Sequence, residues 1–152
     1  MKKRYFLIVI LFIFSLFGCE NKSDDKIHIV TTIFPIYDFV REIKTDDFEV
    51  SMLLRPGQEV HTYDPSAKDI TNIYESELFI YIGGESDSYV DTILKNNKNV
   101  KALKLIDFVD TLEEDEEDHD HDHSHDDVEY DEHIWTSIRN AVKMVKAISS
   151  SM

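Results

Sequence analysis

Four short apolar runs, each followed by a stretch with helical spacing, constrain this chain more than any other feature. The runs are Ile27 to Ile33, Glu49 to Leu54, Leu78 to Ile82 and Val100 to Ile106. They are rich in β-branched residues and alternate only partly, the pattern of strands covered on both faces. Pro35 ends the first run and can open a helix, because its fixed φ suits the first helical turn. Ile36, Phe39, Val40 and Ile43 then fall at helical spacing through Lys44. Ser66 and Asp69 stand three apart, as in a capping box, ahead of a helix reaching about Ser76. Gly83-Gly84 stops the third run, and a third helix is expected over Ser86 to Asn96, with Tyr89, Ile93 and Leu94 on one side. Strand–helix alternation with short connections predicts an α/β fold: one lobe with a four-stranded parallel sheet, right-handed crossovers and flanking helices. A last helix is expected from Ile134 to Ile148, with Ile138, Val142, Val145 and Ile148 as its buried stripe.

The two ends of the lobe have a different composition. Lys2, Lys3 and Arg4 precede an apolar run from Tyr5 to Phe17 that is too short to span a bilayer, so residues 1–18 read as a signal peptide. Leu16-Phe17-Gly18-Cys19 has the form of a bacterial lipobox, and Cys19 is the only cysteine. Cys19 is therefore the expected lipidation site, with residues 19–26 as a polar tether. Two acyl chains on such a cysteine suffice for stable anchoring. Past the lobe (27–107), residues 108–132 form an acidic loop: thirteen acidic residues and no lysine or arginine lie between Glu113 and Glu132. Too little of that loop is apolar to offset the entropy of ordering it, so it is expected to be disordered without metal. The formal charge of −15 argues against nucleic acid or an anionic membrane surface as a partner and is compatible with attracting cations.

Seven histidines supply the chemistry. His119, His121, His123 and His125 alternate with Asp or Ser inside the acidic loop, where neutral imidazoles and carboxylates can wrap an ion transiently. They are auxiliary metal-binding candidates. His61 follows the second strand in the loop Pro56 to Ser66, at the carboxyl edge where open α/β sheets bind ligands. His133 precedes the last helix in Asp131-Glu132-His133-Ile134-Trp135. His28 lies inside the first strand and reads as structural. Tyr63 and Trp135 read as packing residues or as groups that hold a ligand ring in place.

The run His61-Thr62-Tyr63-Asp64-Pro65-Ser66 resembles the first metal-ligand loop of the zinc and manganese solute-binding proteins of ABC importers. Asp131-Glu132-His133-Ile134-Trp135 is similar to that family's Asp-Pro-His-x-Trp motif, with Glu132 in place of the proline and Ile138 where a proline usually opens the next helix. The resemblance implies that His61 and His133 are metal ligands. It also implies that the chain is an N-terminal lobe ending, over 133–152, at the start of the inter-lobe linking helix, so that C-terminal ligands have no counterpart here. The implied function is an extracytoplasmic zinc receptor, lipid-anchored to the outer face of the bacterial cell membrane, that captures Zn(II), with Mn(II) as second candidate, and passes it to an ABC permease. The alternative is a truncated remnant that buffers metal at the cell surface through its histidine tract. An enzyme is not expected: a catalytic zinc needs three protein ligands, an open water position and a base, and no His-Glu-x-x-His element is present.

Overall fold

In a computed structural model the described residues are 26–111 and 131–152. Cys19, the signal peptide, most of the tether and the histidine tract (His119, His121, His123 and His125) lie outside them.

The four apolar runs form strands β1 (Ile27–Thr31), β2 (Phe48–Met52), β3 (Leu78–Tyr81) and β4 (Ala102–Lys104). They pair in parallel in the order β2-β1-β3-β4, with Ile29 opposite both Val50 and Leu78. The helices between them are α1 (Phe34–Ile43), α2 (Ala67–Glu75), α3 (Tyr89–Asn96) and, last, α4 (Ile138–Ser151). Alternate residues of each strand serve opposite faces of the sheet. Ile29 and Ile80 pack with Ile36, Val40, Met144 and Ile148 of α1 and α4. Val30, Phe79 and Tyr81 pack with Ile73 of α2 and with Val90 and Ile93 of α3. Both faces are covered, which is why the central strands carry apolar residues almost without interruption.

Three local expectations are corrected. β4 has three residues rather than seven, because the chain turns into a 3-10 helix at Leu105–Phe108. The helix expected from Ser86 begins at Tyr89, after a 3-10 turn at Glu85–Asp87. That turn is held by the buried Asp87 carboxylate, which accepts N–H bonds from Ile82 (2.8 Å) and Gly83 (3.1 Å). The third correction concerns the last helix. Its buried residues are Asn140, Met144, Ala147 and Ile148, whereas Ile138 is 84% exposed and Val142 50% exposed. Asn140 lies on this buried face and donates from Nδ2 to the carbonyl of Asp110 (2.9 Å). Of the expected stripe Ile148 is buried, and the buried face otherwise turns to Met144 and Ala147, which the apolar spacing did not single out.

The strand order reverses between β1 and β3: the chain moves from β1 outward to β2, then crosses to β3 on the other side. Loops leaving the carboxyl ends of these strands diverge there and open a crevice.

Candidate metal centre

The loop carrying His61 is anchored at both ends. Leu53 and Leu54 extend the β1–β2 pairing by donating to the carbonyls of Thr31 (2.9 Å) and Thr32 (3.1 Å). A turn follows, in which the Gln58 N–H bonds the Arg55 carbonyl (3.0 Å) and the Gln58 side chain accepts from the Arg55 N–H (2.7 Å). At the far end Ser66 caps α2 reciprocally: its Oγ accepts from the Asp69 N–H (3.3 Å), and Asp69 accepts from the Ser66 N–H (2.9 Å). Burial would raise the Asp69 pKa, but the bonds from Ser66, together with Tyr63 and the Arg55 charge, hold the carboxyl below its ordinary value. Val60 and Tyr63 flank His61 and pack inward; Tyr63 meets Tyr89 edge-on, with ring centroids 5.7 Å apart. His61 itself stays outside, with 55% of its side chain exposed. The sequence requires this split, with apolar neighbours seating the loop and a polar ring left at the crevice.

His133 comes from the other side. Ile134 is buried and Trp135 packs against the same core, so the short turn Ile134–Thr136 presents His133 at its start. Asp131 Oδ1 accepts from the His133 N–H (2.8 Å) and lies 2.9 Å from the ring Nδ1. The backbone bond and the ring bond hold the Asp131 pKa below its ordinary value. An ionised carboxylate only accepts, so in the neutral ring Nδ1 carries the proton and Nε2 the lone pair. A carboxylate behind a histidine in this way fixes its orientation for a metal on the opposite nitrogen.

His61 and His133 lie on one side of the crevice, with ring centroids 6.4 Å apart at 53°. A zinc ion about 2.0–2.1 Å from one nitrogen of each ring places the centroids roughly 5 Å apart at a tetrahedral angle and roughly 6 Å at wider ones. The exposed rings can rotate through the remaining difference. Among the described residues no group of three or more His, Cys, Asp or Glu is gathered tightly enough to hold a metal ion. Among the described residues the candidates are therefore these two imidazoles, and a tetrahedral ion held by them would have two further positions to fill.

The remaining candidates sort clearly. His28 bonds Ser51 through Nε2 (2.9 Å) near the start of β1, away from the crevice, in keeping with a structural role. Trp135 packs on the core and also tilts against the His133 ring at 5.3 Å, so it serves both readings open to it. Two residues were not legible as site residues. Ser86, on the turn after β3, has its Oγ 3.1 Å from His61 Nδ1. Glu132 has only 13% of its side chain exposed; it bonds Ser86, and its Oε1 lies 3.6 Å from the same ring nitrogen. The only signal in the sequence was position, since Ser86 follows a strand-ending Gly83-Gly84 at the carboxyl edge.

The family model for zinc-uptake complex component A, periplasmic, matches residues 29–152. The zinc-binding lipoprotein AdcA of Streptococcus pneumoniae is 35% identical over 159 aligned residues, covering 100% of this chain and 32% of AdcA. The high-affinity zinc uptake system protein ZnuA of Bacillus subtilis is 36% identical over 140 residues, covering 89% of this chain and 44% of ZnuA. The crystal structure of the Zn(II)-bound ZnuA-like domain of S. pneumoniae AdcA aligns with a TM-score of 0.67 at 31% identity, over 83% of this chain and 43% of that one. This chain thus spans less than half the length of the relatives it matches. With the sheet order and two histidines brought to 6.4 Å at the crevice, these likenesses establish that the chain belongs to the family of the periplasmic zinc-uptake component A.

Proposed function

We propose that this chain is the extracytoplasmic zinc-binding receptor component of an ABC metal importer, binding Zn(II) through Nε2 of His61 and of His133 and delivering it to a membrane permease. One observation carries the reading: two histidines from separate loops, far apart in sequence, converge to 6.4 Å, one with its Nδ1 held by a carboxylate. The names of the relatives support zinc as the cargo. Imidazole ligands also favour it over Mn(II), which suits harder oxygen donors. Residues 1–18 would direct export, Cys19 would anchor the protein at the outer face of the bacterial membrane, and 19–26 would tether the lobe at 27–107. The histidines at 119, 121, 123 and 125, within the acidic segment 108–132, would collect ions, and residues 133–152 would begin the linking helix. With two protein ligands of its own, the lobe binds zinc more weakly and less selectively than a site with four.

Calorimetric titration of zinc into the chain from residue 20 tests this. Replacing His61 and His133 together with Ala abolishes the tightest event, whereas deleting residues 113–129 removes only weaker ones. The reverse result would make the folded lobe a scaffold and the protein a histidine-tract metal buffer at the cell surface.

A further inference from the structure

Glu132 and Ser86 form a connection between the two histidines that the proposed binding reaction does not use directly. Glu132 Oε2 accepts from the Ser86 N–H (3.0 Å), and Oε1 accepts from the Ser86 hydroxyl. The same hydroxyl oxygen lies 3.1 Å from His61 Nδ1. The direction of each bond follows from counting protons. A carboxylate can only accept, so the single hydroxyl proton of Ser86 goes to Glu132. The Ser86 oxygen is then left with lone pairs toward His61, and Nδ1 must donate to it. Reversing the ring would set an Nδ1 lone pair against the serine lone pairs, with Glu132 Oε1 at 3.6 Å as well.

We propose that Ser86 and Glu132 are positioning residues that lock His61 in its Nδ1–H tautomer, leaving Nε2 as the only nitrogen with a lone pair for the metal. An exposed neutral histidine ordinarily favours the opposite tautomer, with the proton on Nε2. The hydrogen bond at one ring nitrogen decides which nitrogen is free to ligate. Without the lock, zinc binding must first move the proton across the ring. The pair does for His61 what Asp131 does for His133, through one extra link. Because Glu132 is also the chain neighbour of His133, it ties the turn beside His61 to the segment that carries the second ligand. This proposal rests on the reading of His61 as a metal ligand.

The backbone is shaped for this link. A Cβ on Gly84 would collide with the Glu132 carboxylate and its Cβ, so only glycine lets Glu132 reach the Ser86 turn.

The test uses the full chain, metal-free, labelled with 15N at histidine and held at a pH where imidazole is neutral. Long-range proton–nitrogen spectra report which ring nitrogen is protonated, and His61→Ala assigns the signals. The wild type shows a protonated Nδ1 at His61. Ser86→Ala frees the ring, and the signals move toward the Nε2–H form. Glu132→Gln goes further. Its carbonyl must face the Ser86 N–H, so its amide donates to the Ser86 hydroxyl, which then donates to His61 and inverts the tautomer. Ser86→Thr keeps the wild-type pattern. Zinc affinity of the tightest event, measured by chelator competition, falls about 10–100-fold in Ser86→Ala and Glu132→Gln and stays near wild type in Ser86→Thr. A wild-type His61 carrying its proton on Nε2 would overturn the proposal. Affinity lost in Glu132→Gln alone would also overturn it, leaving Glu132 as a nearby negative charge. If His61→Ala weakens zinc binding and neither Ser86→Ala nor Glu132→Gln does, the histidine site stands and the lock falls. If His61→Ala has no effect, the site reading fails and the lock's role in binding falls with it.

Discussion

At the scale of single residues, the crevice depends on acceptors placed behind rings. Asp131 bonds both the backbone N–H and the ring of His133, and 40% of its side chain is exposed, so removing it tests orientation more than packing. Asp131→Ala is expected to lower zinc affinity about 10–100-fold while thermal stability barely changes, checked by chelator competition beside a melting curve. Zinc needs the neutral imidazole, so its affinity falls as the histidines protonate on acidification, and one proton is released per histidine engaged if that histidine was charged beforehand. The glycine pair is equally specific. Gly83 has φ +97, in the left-handed region that side chains rarely adopt, and a Cβ there would also meet the Lys104 side chain. Gly84 has ordinary φ and matters only through its closeness to Glu132. Gly84→Ala is therefore expected to act like Glu132→Gln on zinc affinity, through displacement rather than charge, and its His61 spectrum should show a freed ring instead of an inverted one.

At the scale of elements, caps and faces set what each segment contributes. Ser66→Ala removes the N-cap bond of α2 and is expected to cost about 1 kcal/mol, read from chemical denaturation at neutral pH. The pH dependence has a definite sign. The Asp69 pKa is depressed in the folded state, so its stabilisation is present above the ordinary carboxylate pKa and disappears as pH falls through its lower folded value. The gap between wild type and Ser66→Ala should accordingly narrow in that acid window. On α4, Met144 is fully buried and Val142 half exposed. Met144→Ala is expected to cost about 2–5 kcal/mol. Val142→Ser should stay within about 0.5 kcal/mol. Equal losses at the two positions would mean that the helix packs on the face first expected from its apolar spacing.

At the scale of the whole molecule, the chain is an α/β lobe whose sheet is covered on both sides and whose ligand loops leave one edge. Binding that favours the folded state stabilises it by mass action, about 2.7 kcal/mol at a hundredfold excess of ligand over Kd. Zinc should raise the melting temperature of the wild type, and a chelator should reverse the rise. The His61→Ala/His133→Ala variant should show little of either. If His61 and His133 hold zinc, the two imidazoles would fill half of a tetrahedral set. The strand runs, the order of alternating elements and the two candidate histidines were legible from sequence alone, because apolar periodicity and loop motifs are local properties of the chain. The capping box was legible for the same reason, since its partners stand three residues apart. The face that α4 buries was not fully legible: Asn140 on that face bonds a carbonyl thirty positions away. Nor were Ser86 and Glu132, which meet across forty-six positions. Hydrogen-bond partners that distant in sequence become neighbours only after the sheet has ordered its strands and brought the loops together at its edge. Sequence by itself therefore determined the architecture and the metal-binding candidates, and the tertiary fold decided which side chains stand behind them and which way their protons point.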